Sequence, residues 1–178
     1  MSNSKSDPNQ DWPLVLFEEL RRAKISIACH VPDAGHARLI GYCEAEPSVA
    51  CIGLANEQEG VALCAGAWLG GARSALLMQS SGVGNCVNSL GMIKECRFPL
   101  LALITMRGEW GEFNPWQVPV AQATPALLEL MGVIVHRADT PDAVAPTVAA
   151  AARLAFDSEV AVAVLLSQRL IGSKKFID

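Results

Sequence analysis

Side chains able to do chemistry fall in four short clusters: Pro32-Asp33, Asn56-Glu57, Gln79 to Asn85 and Arg107 to Gln117. In the second, Asn56 suits a helix N-cap, which puts Glu59 at N3 in a capping-box arrangement. Glu57 is left at N1, where a carboxylate gains a little from the helix dipole. Two readings of Glu57 stay open: a dipole complement, or an active-site acid at the end of a strand. Gly82-Val83-Gly84-Asn85 is not a dinucleotide fingerprint, because Val87 stands where the third glycine belongs, and the chain has no G-x4-G-K-[ST] loop. Its glycines read as a turn that brings backbone close to a ligand or a neighbouring subunit. Arg107-Gly108-Glu109 reads either as a solvated local ion pair, worth about 0–1 kcal/mol, or as a guanidinium facing a carboxylate, phosphonate or sulfonate.

The remaining reactive side chains carry weaker signals. Trp110, Phe113 and Trp116 read as packing or interface aromatics. His136 reads as structural, while His30 and His36 flank the first turn and either is a candidate to reach a site there. The six cysteines show no C-x2-C spacing and mostly sit in apolar runs, so they read as reduced core thiols with no metal centre.

Those clusters need a scaffold, and its elements follow from the hydrophobic pattern. Helices are expected over 12–23, 37–45, 56–69, 87–95, 125–131 and 141–156. Short apolar runs over 25–31, 49–54, 75–78, 99–105, 133–136 and 160–166 read as strands. Ser80 to Asn85 is expected as a loop, and Met106 to Thr124 as a long loop of the kind that usually has a job. Strands that are apolar throughout and alternate with helices predict an α/β three-layer sandwich, with about six parallel strands and helices on both faces. In such sheets ligands bind beyond the carboxyl ends of the strands, where the four clusters lie.

Composition limits the class. Of 178 residues, 51% are hydrophobic and 18% charged, which excludes a disordered chain. One domain over 12–178 is expected after a disordered tail over 1–11. The net charge is -4 and no basic block occurs, so no nucleic-acid partner is expected. No apolar run is long enough to span a membrane and no hydrophobic signal region opens the chain, which predicts a cytoplasmic protein.

Taken together the clusters resemble one family. Ala55-Asn56-Glu57 followed by Val61-Ala62-Leu63-Cys64-Ala65-Gly66 looks like the Asn-Glu-Gly…Ala-Gly motif of the pyrimidine-binding (PYR) domain of thiamine diphosphate enzymes. Gln79 to Asn88 is similar to the Q-N-S-G-L-G-N-x-x-N segment of phosphonopyruvate and sulfopyruvate decarboxylases. Arg107-Gly108 with Gly111 matches their R-G-x-x-G start, and Val31-Pro32-Asp33 resembles their first active-site turn. The likeness spans roughly 14–170. It departs at Ser80, where the pattern has Asn, and at Phe113 to Val118, where the D-E-P-Q-H of phosphonopyruvate decarboxylases and its His are lost. Gln117-Val118-Pro119-Val120 looks closer to the sulfopyruvate decarboxylase α subunit.

The resemblance implies a PYR-domain α subunit of a 2-oxo acid decarboxylase, a carbon-carbon lyase. It implies that Glu57 hydrogen-bonds N1′ of the cofactor's aminopyrimidine, favouring the tautomer whose 4′-nitrogen takes the thiazolium C2 proton. Pro32, Gln79, Ser81, Gly82, Gly84 and Asn85 are the implied cofactor contacts. Asp33, Arg107 and Gln117 are the implied contacts to a small anionic, sulfopyruvate- or phosphonopyruvate-like 2-oxo acid. The chain lacks the G-D-G…N-N motif that holds diphosphate and Mg2+. A separate diphosphate-binding (PP, β) subunit of about 20 kDa is therefore expected to bind Mg2+, within a homo- or hetero-oligomer. A carboligase subunit and a non-catalytic α/β binding module are the alternatives.

Overall fold

A computed structural model describes residues 11–173. In chain order the elements are α1 (Trp12–Arg22), β1 (Ile25–His30), α2 (Ala37–Ala45), β2 (Ala50–Gly53), α3 (Glu57–Leu69), β3 (Arg73–Gln79) and α4 (Ser80–Cys96). They continue with β4 (Leu100–Thr105), a 3-10 turn (Pro115–Gln117), α5 (Val118–Leu130), β5 (Ile134–Ala138), α6 (Pro141–Asp157), β6 (Ala161–Leu166) and α7 (Gln168–Ile171). The six strands form one all-parallel sheet in the order β2-β1-β3-β4-β6-β5. This is the expected three-layer α/β arrangement.

Burial on both faces accounts for the unbroken apolar strands. β4 and β6 are buried at every position. Leu101, Leu103, Val162 and Val164 pack with residues of α1, α2 and α6 on one face. Leu100, Ala102, Ile104, Ala163 and Leu165 pack with α3, α4 and α5 on the other. The strands with exposed positions are the two edges, β2 and β5.

The structure corrects the sequence reading in three places. Ser80 to Asn85 is not a loop but the opening of α4. Glycines at 82, 84 and 91 each disfavour a helix by about 1 kcal/mol relative to Ala, so tertiary contacts hold this one. Ser80 Oγ lies 3.1 Å from both the Arg107 N–H and the Arg107 carbonyl, accepting from one and donating to the other. The long loop shrinks because α5 begins at Val118, with Pro119 in its first turn where a missing N–H is harmless and Pro125 carried inside. The short helix α7 follows the last strand with no counterpart in the sequence pattern; Ser167 caps it by accepting from the Leu170 N–H at 3.2 Å.

The tail expected over 1–11 lies outside the described residues apart from Asp11. The Asp11 carboxylate accepts from the Leu14 N–H (3.3 Å) and the Tyr42 hydroxyl (2.8 Å) and pairs with Arg38, tying the start of α1 to α2.

Candidate active site

The strand order reverses twice. The chain leaves β1 for β2 on one side, but β3 lies on the other; it leaves β4 for the edge strand β5, and β6 then fills the gap. Open parallel sheets bind ligands at such switch points. The residues that follow the four central strands converge there. Asp33, Gln79, Arg107 and Gln168 line one cavity of about 140 Å³, with Glu112 beside them.

Asp33 is the hub of the first switch point. The Gln79 side-chain amide donates to its Oδ1 at 3.0 Å, and the Thr105 hydroxyl donates to its Oδ2 at 2.5 Å. The Ser81 hydroxyl donates to Gln79 Oε1 at 3.0 Å, which fixes the orientation of that amide. Fully buried His36 brings Nδ1 to 3.5 Å from Asp33 Oδ2. Burial works to raise the Asp33 pKa, but His36, the Thr105 hydroxyl and the Gly35 N–H outweigh it and hold the carboxyl well below the usual carboxylate range.

Arg107 belongs to the second switch point. It does not pair with Glu109: its Nε donates to Glu112 Oε2 at 3.1 Å, and Glu109 pairs with Arg137 instead. Of the two readings of Arg107-Gly108-Glu109, the solvated local pair is therefore absent, and the Arg107–Glu112 contact is largely buried. Gln168, 1% exposed, sets this loop. Its Oε1 accepts from the N–H groups of Gly108, Glu109 and Trp110 at 2.9, 3.0 and 3.0 Å, and its Nε2 donates to Glu112 Oε2 at 3.0 Å. The Arg107 Nη atoms make no hydrogen bond among the described residues, so its terminal fork is available to an anion.

Glu57 does not line that cavity; it faces α4. The neighbouring glutamate settles which of the two caps the helix. Asn56 Oδ1 accepts from the Glu59 N–H at 3.2 Å, and Glu59 Oε2 accepts from the Ala55 N–H at 2.8 Å, one residue before the position a capping box uses. Glu59 is exposed at this work, whereas Glu57 is 9% exposed and turns to α4. There Asn85 Nδ2 donates to Glu57 Oε2 at 2.9 Å. A Cβ on Gly82 would lie 2.4 Å from Glu57 Cδ, so a side chain there would displace the carboxylate from this position. Glu57 Oε1 has no hydrogen-bond partner among the described residues.

The sequence candidates thus divide. Asp33, Gln79 and Ser81 are linked by hydrogen bonds, and Asp33 and Gln79 share their cavity with Arg107; Glu57, Gly82 and Asn85 form a second group. Pro32 is exposed in the turn after β1. Gly84 faces open space, where a Cβ would meet nothing within 4 Å. Gln117 does not line the cavity; its Oε1 is buried without a partner, and its carbonyl would lie 2.4 Å from a Cβ on Gly108, whose φ is +113°. His36 reaches the Asp33 group and His30 lies elsewhere. Thr105 and Gln168 escaped sequence reasoning, and Glu112 fell within the Arg107 to Gln117 cluster without a role of its own. Gln168 carried a usable signal, since the carboxyl-end rule applied to β6 points straight at Ser167-Gln168.

No family model matches the chain. Individual proteins do. The sulfopyruvate decarboxylase subunit alpha of Methanococcus maripaludis is 32% identical over 152 residues, 85% of this chain and 91% of that protein. The subunit alpha of Methanothermobacter thermautotrophicus is 29% identical over 152 residues, 85% of this chain and 92% of that protein. A phosphonopyruvate decarboxylase of Streptomyces viridochromogenes is 32% identical over 108 residues, 60% of this chain and 27% of that protein. Among solved structures, 2-oxoglutarate:ferredoxin oxidoreductase from Magnetococcus marinus, with 2-oxoglutarate, coenzyme A and succinyl-CoA bound, shares the fold. Its TM-score is 0.70 at 13% identity, over 90% of this chain and 29% of that one. The extent and level of identity place the chain in the sulfopyruvate decarboxylase subunit alpha family.

Proposed function

We propose that this chain is the α, pyrimidine-binding subunit of a thiamine diphosphate-dependent lyase that decarboxylates sulfopyruvate or a similar 3-substituted anionic 2-oxo acid. It works with a separate PP subunit of about 20 kDa that holds the diphosphate and Mg2+. The observation that carries this reading is the Glu57 carboxylate, buried, held on one oxygen by Asn85 and open on the other.

That geometry fits an aminopyrimidine. Glu57 Oε1 is an unused acceptor for a ring N–H, and Gly82 leaves the carboxylate room to lie against α4. When bound, thiamine diphosphate supplies the electron acceptor that lets carbon dioxide leave. The chain's own residues hold and orient. Glu57 shares a proton at Oε1, and Asn85 keeps the carboxylate from rotating. Gly84, where a Cβ would meet nothing within 4 Å among the described residues, leaves space for a cofactor or partner subunit.

The substrate end is read from charge. Arg107 presents its free fork toward a sulfonate, and Glu112 and Gln168 fix the direction in which it points. Both Asp33 oxygens are occupied by Gln79 and Thr105. A carboxylate so occupied meets an anionic substrate best through its partner, so Asp33 positions the Gln79 amide. Trp116, 86% exposed, and Trp110 lie on the loop next to this cavity and suit a subunit contact. No helix among the described residues is long and apolar enough to cross a membrane, in keeping with a cytoplasmic enzyme.

Purification of the tagged chain from its own cells, followed by native mass spectrometry and a thiamine diphosphate assay, tests the reading. The expected result is a second subunit with cofactor, and carbon dioxide release from sulfopyruvate well above that from pyruvate. Recovery of the chain alone, without cofactor or activity, would contradict it.

A further inference from the structure

On the opposite side of β1 from the Asp33 cluster lies a group of side chains that the reaction does not use. His30 ends β1, Glu44 is near the end of α2, and Cys51 is on the edge strand β2. One donor atom from each lies within 4.8 Å of the other two. His30 is 7% exposed, and its Nδ1 is buried without a hydrogen-bond partner. A buried polar atom left unpaired costs about 1–3 kcal/mol, so its environment needs an explanation. Neither Glu44 nor Cys51 supplies a formed hydrogen bond to it among the described residues.

We propose that His30, Glu44 and Cys51 are the protein ligands of a divalent transition metal site of the zinc class. The donor set is one imidazole nitrogen, one thiolate sulfur and one carboxylate oxygen. That mixture favours zinc-like ions over Mg2+ or Ca2+, which prefer all-oxygen shells. A dication balances the two negative charges that a thiolate and a carboxylate bring. In a tetrahedral zinc site with bonds of about 2.0–2.3 Å, ligand atoms sit about 3.3–3.8 Å apart. Closing the observed spacing onto an ion therefore asks for a shift of about an ångström, within the reach of an exposed glutamate side chain. Glu44 is exposed and Cys51 half buried, so the ion has a way in from solvent and a fourth position for water.

The placement gives the site a consequence. It would clip the edge strand β2 and the helix α2 to the end of β1, one residue before the Val31-Pro32-Asp33 turn. The edge is where the sheet has fewest contacts to hold it, and the turn carries the Asp33 cluster. This site stands whether or not the decarboxylase reading does.

Cobalt tests it, because a cysteine thiolate bound to Co2+ gives a charge-transfer band and a tetrahedral site gives strong visible bands. The full chain, without a histidine tag and with the exposed thiol removed (Cys96→Ser), is titrated with Co2+ and then with Zn2+. The site predicts one Co2+ per chain with both bands, displaced by Zn2+, and a thermal midpoint raised by about 3 °C or more with Zn2+. Adding Cys51→Ser removes the charge-transfer band, and adding Glu44→Gln weakens binding at least tenfold, with far-ultraviolet circular dichroism unchanged. Absence of the bands at millimolar Co2+, or a band that survives Cys51→Ser, would overturn the proposal. If Cys51→Ser does not fold, the surface change Glu44→Gln decides: unaltered affinity would overturn it equally.

Discussion

Gly82 and Glu57 are matched across two helices: a side chain on the first would collide with the carboxylate of the second, at 2.4 Å from its carboxyl carbon. The two lie twenty-five positions apart in the chain and meet because α3 and α4 pack side by side on one face of the sheet. The glycine weakens the helix that carries it, and the carboxylate gains a seat against that helix.

Gly82→Ala tests this match. Helix propensity alone would make the alanine variant about 1 kcal/mol more stable. Overpacking typically costs about 1–3 kcal/mol, so the variant is expected to be no more stable than the parent. Its urea midpoint should stay level or fall, and turnover of the assembled enzyme should fall more than tenfold as Glu57 is displaced. A clear rise in midpoint with activity intact would show that the carboxylate does not need that space.

Asp33 should leave a mark on the acid side of the stability curve. Its folded-state pKa lies below the ordinary carboxylate value near 3.8, so the ionised form is favoured by folding. That contribution is fully present above pH 4 and is lost as the pH falls through the folded value. Asp33→Asn is therefore expected to destabilise the chain at pH 5, by about 1.5–3 kcal/mol on the scale of hydrogen bonds to charged groups. The gap from the parent should narrow steadily below about pH 4. Urea unfolding at a series of pH values from 5 to 3 measures it, and a gap that widens toward acid would contradict the assignment.

Gln168→Ala removes the acceptor shared by three consecutive backbone N–H groups and one donor to Glu112. Buried donors left unpaired cost about 1–3 kcal/mol each, softened where water can enter. A loss of about 2–4 kcal/mol is expected. Hydrogen exchange at residues 108–110 should speed up far more than in α6, and the KM for an anionic 2-oxo acid should rise as Arg107 loses its fixed aim. Uniform exchange across the chain would mean that the loop is held by something else.

Much of this was legible in the residues. Strands such as Leu100–Thr105, apolar up to its last residue, and Ala161–Leu166, apolar throughout, call for a sheet covered on both faces, and the parallel order followed. What misled was local chemistry read without its tertiary partner. Ser80 to Asn85 looks like a loop because its glycines are poor helix formers, yet they are there for Glu57 and for open surface. Pro125 reads as a helix start, but Pro119 holds that place. Spacing offers Arg107 its neighbour Glu109 as one reading, whereas the loop folds back so that Glu112 reaches it. Gln168 follows the last strand, where the carboxyl-end rule points but no motif marks it. The meeting of Glu57 with Asn85 and the dependence of Gln79 on Asp33 are contacts between distant segments, and no spacing within one segment encodes them.

The central claim is that Glu57 acts on the cofactor, and Glu57→Gln tests it most directly. The substitution keeps the shape and still offers Asn85 an oxygen to donate to, while removing the charge. The variant should assemble with its partner subunit and bind cofactor, with carbon dioxide release from sulfopyruvate reduced well over tenfold. Retention of more than about a tenth of the parent rate, a difference of less than about 1.4 kcal/mol in the barrier, in a fully assembled and cofactor-loaded variant would contradict the account.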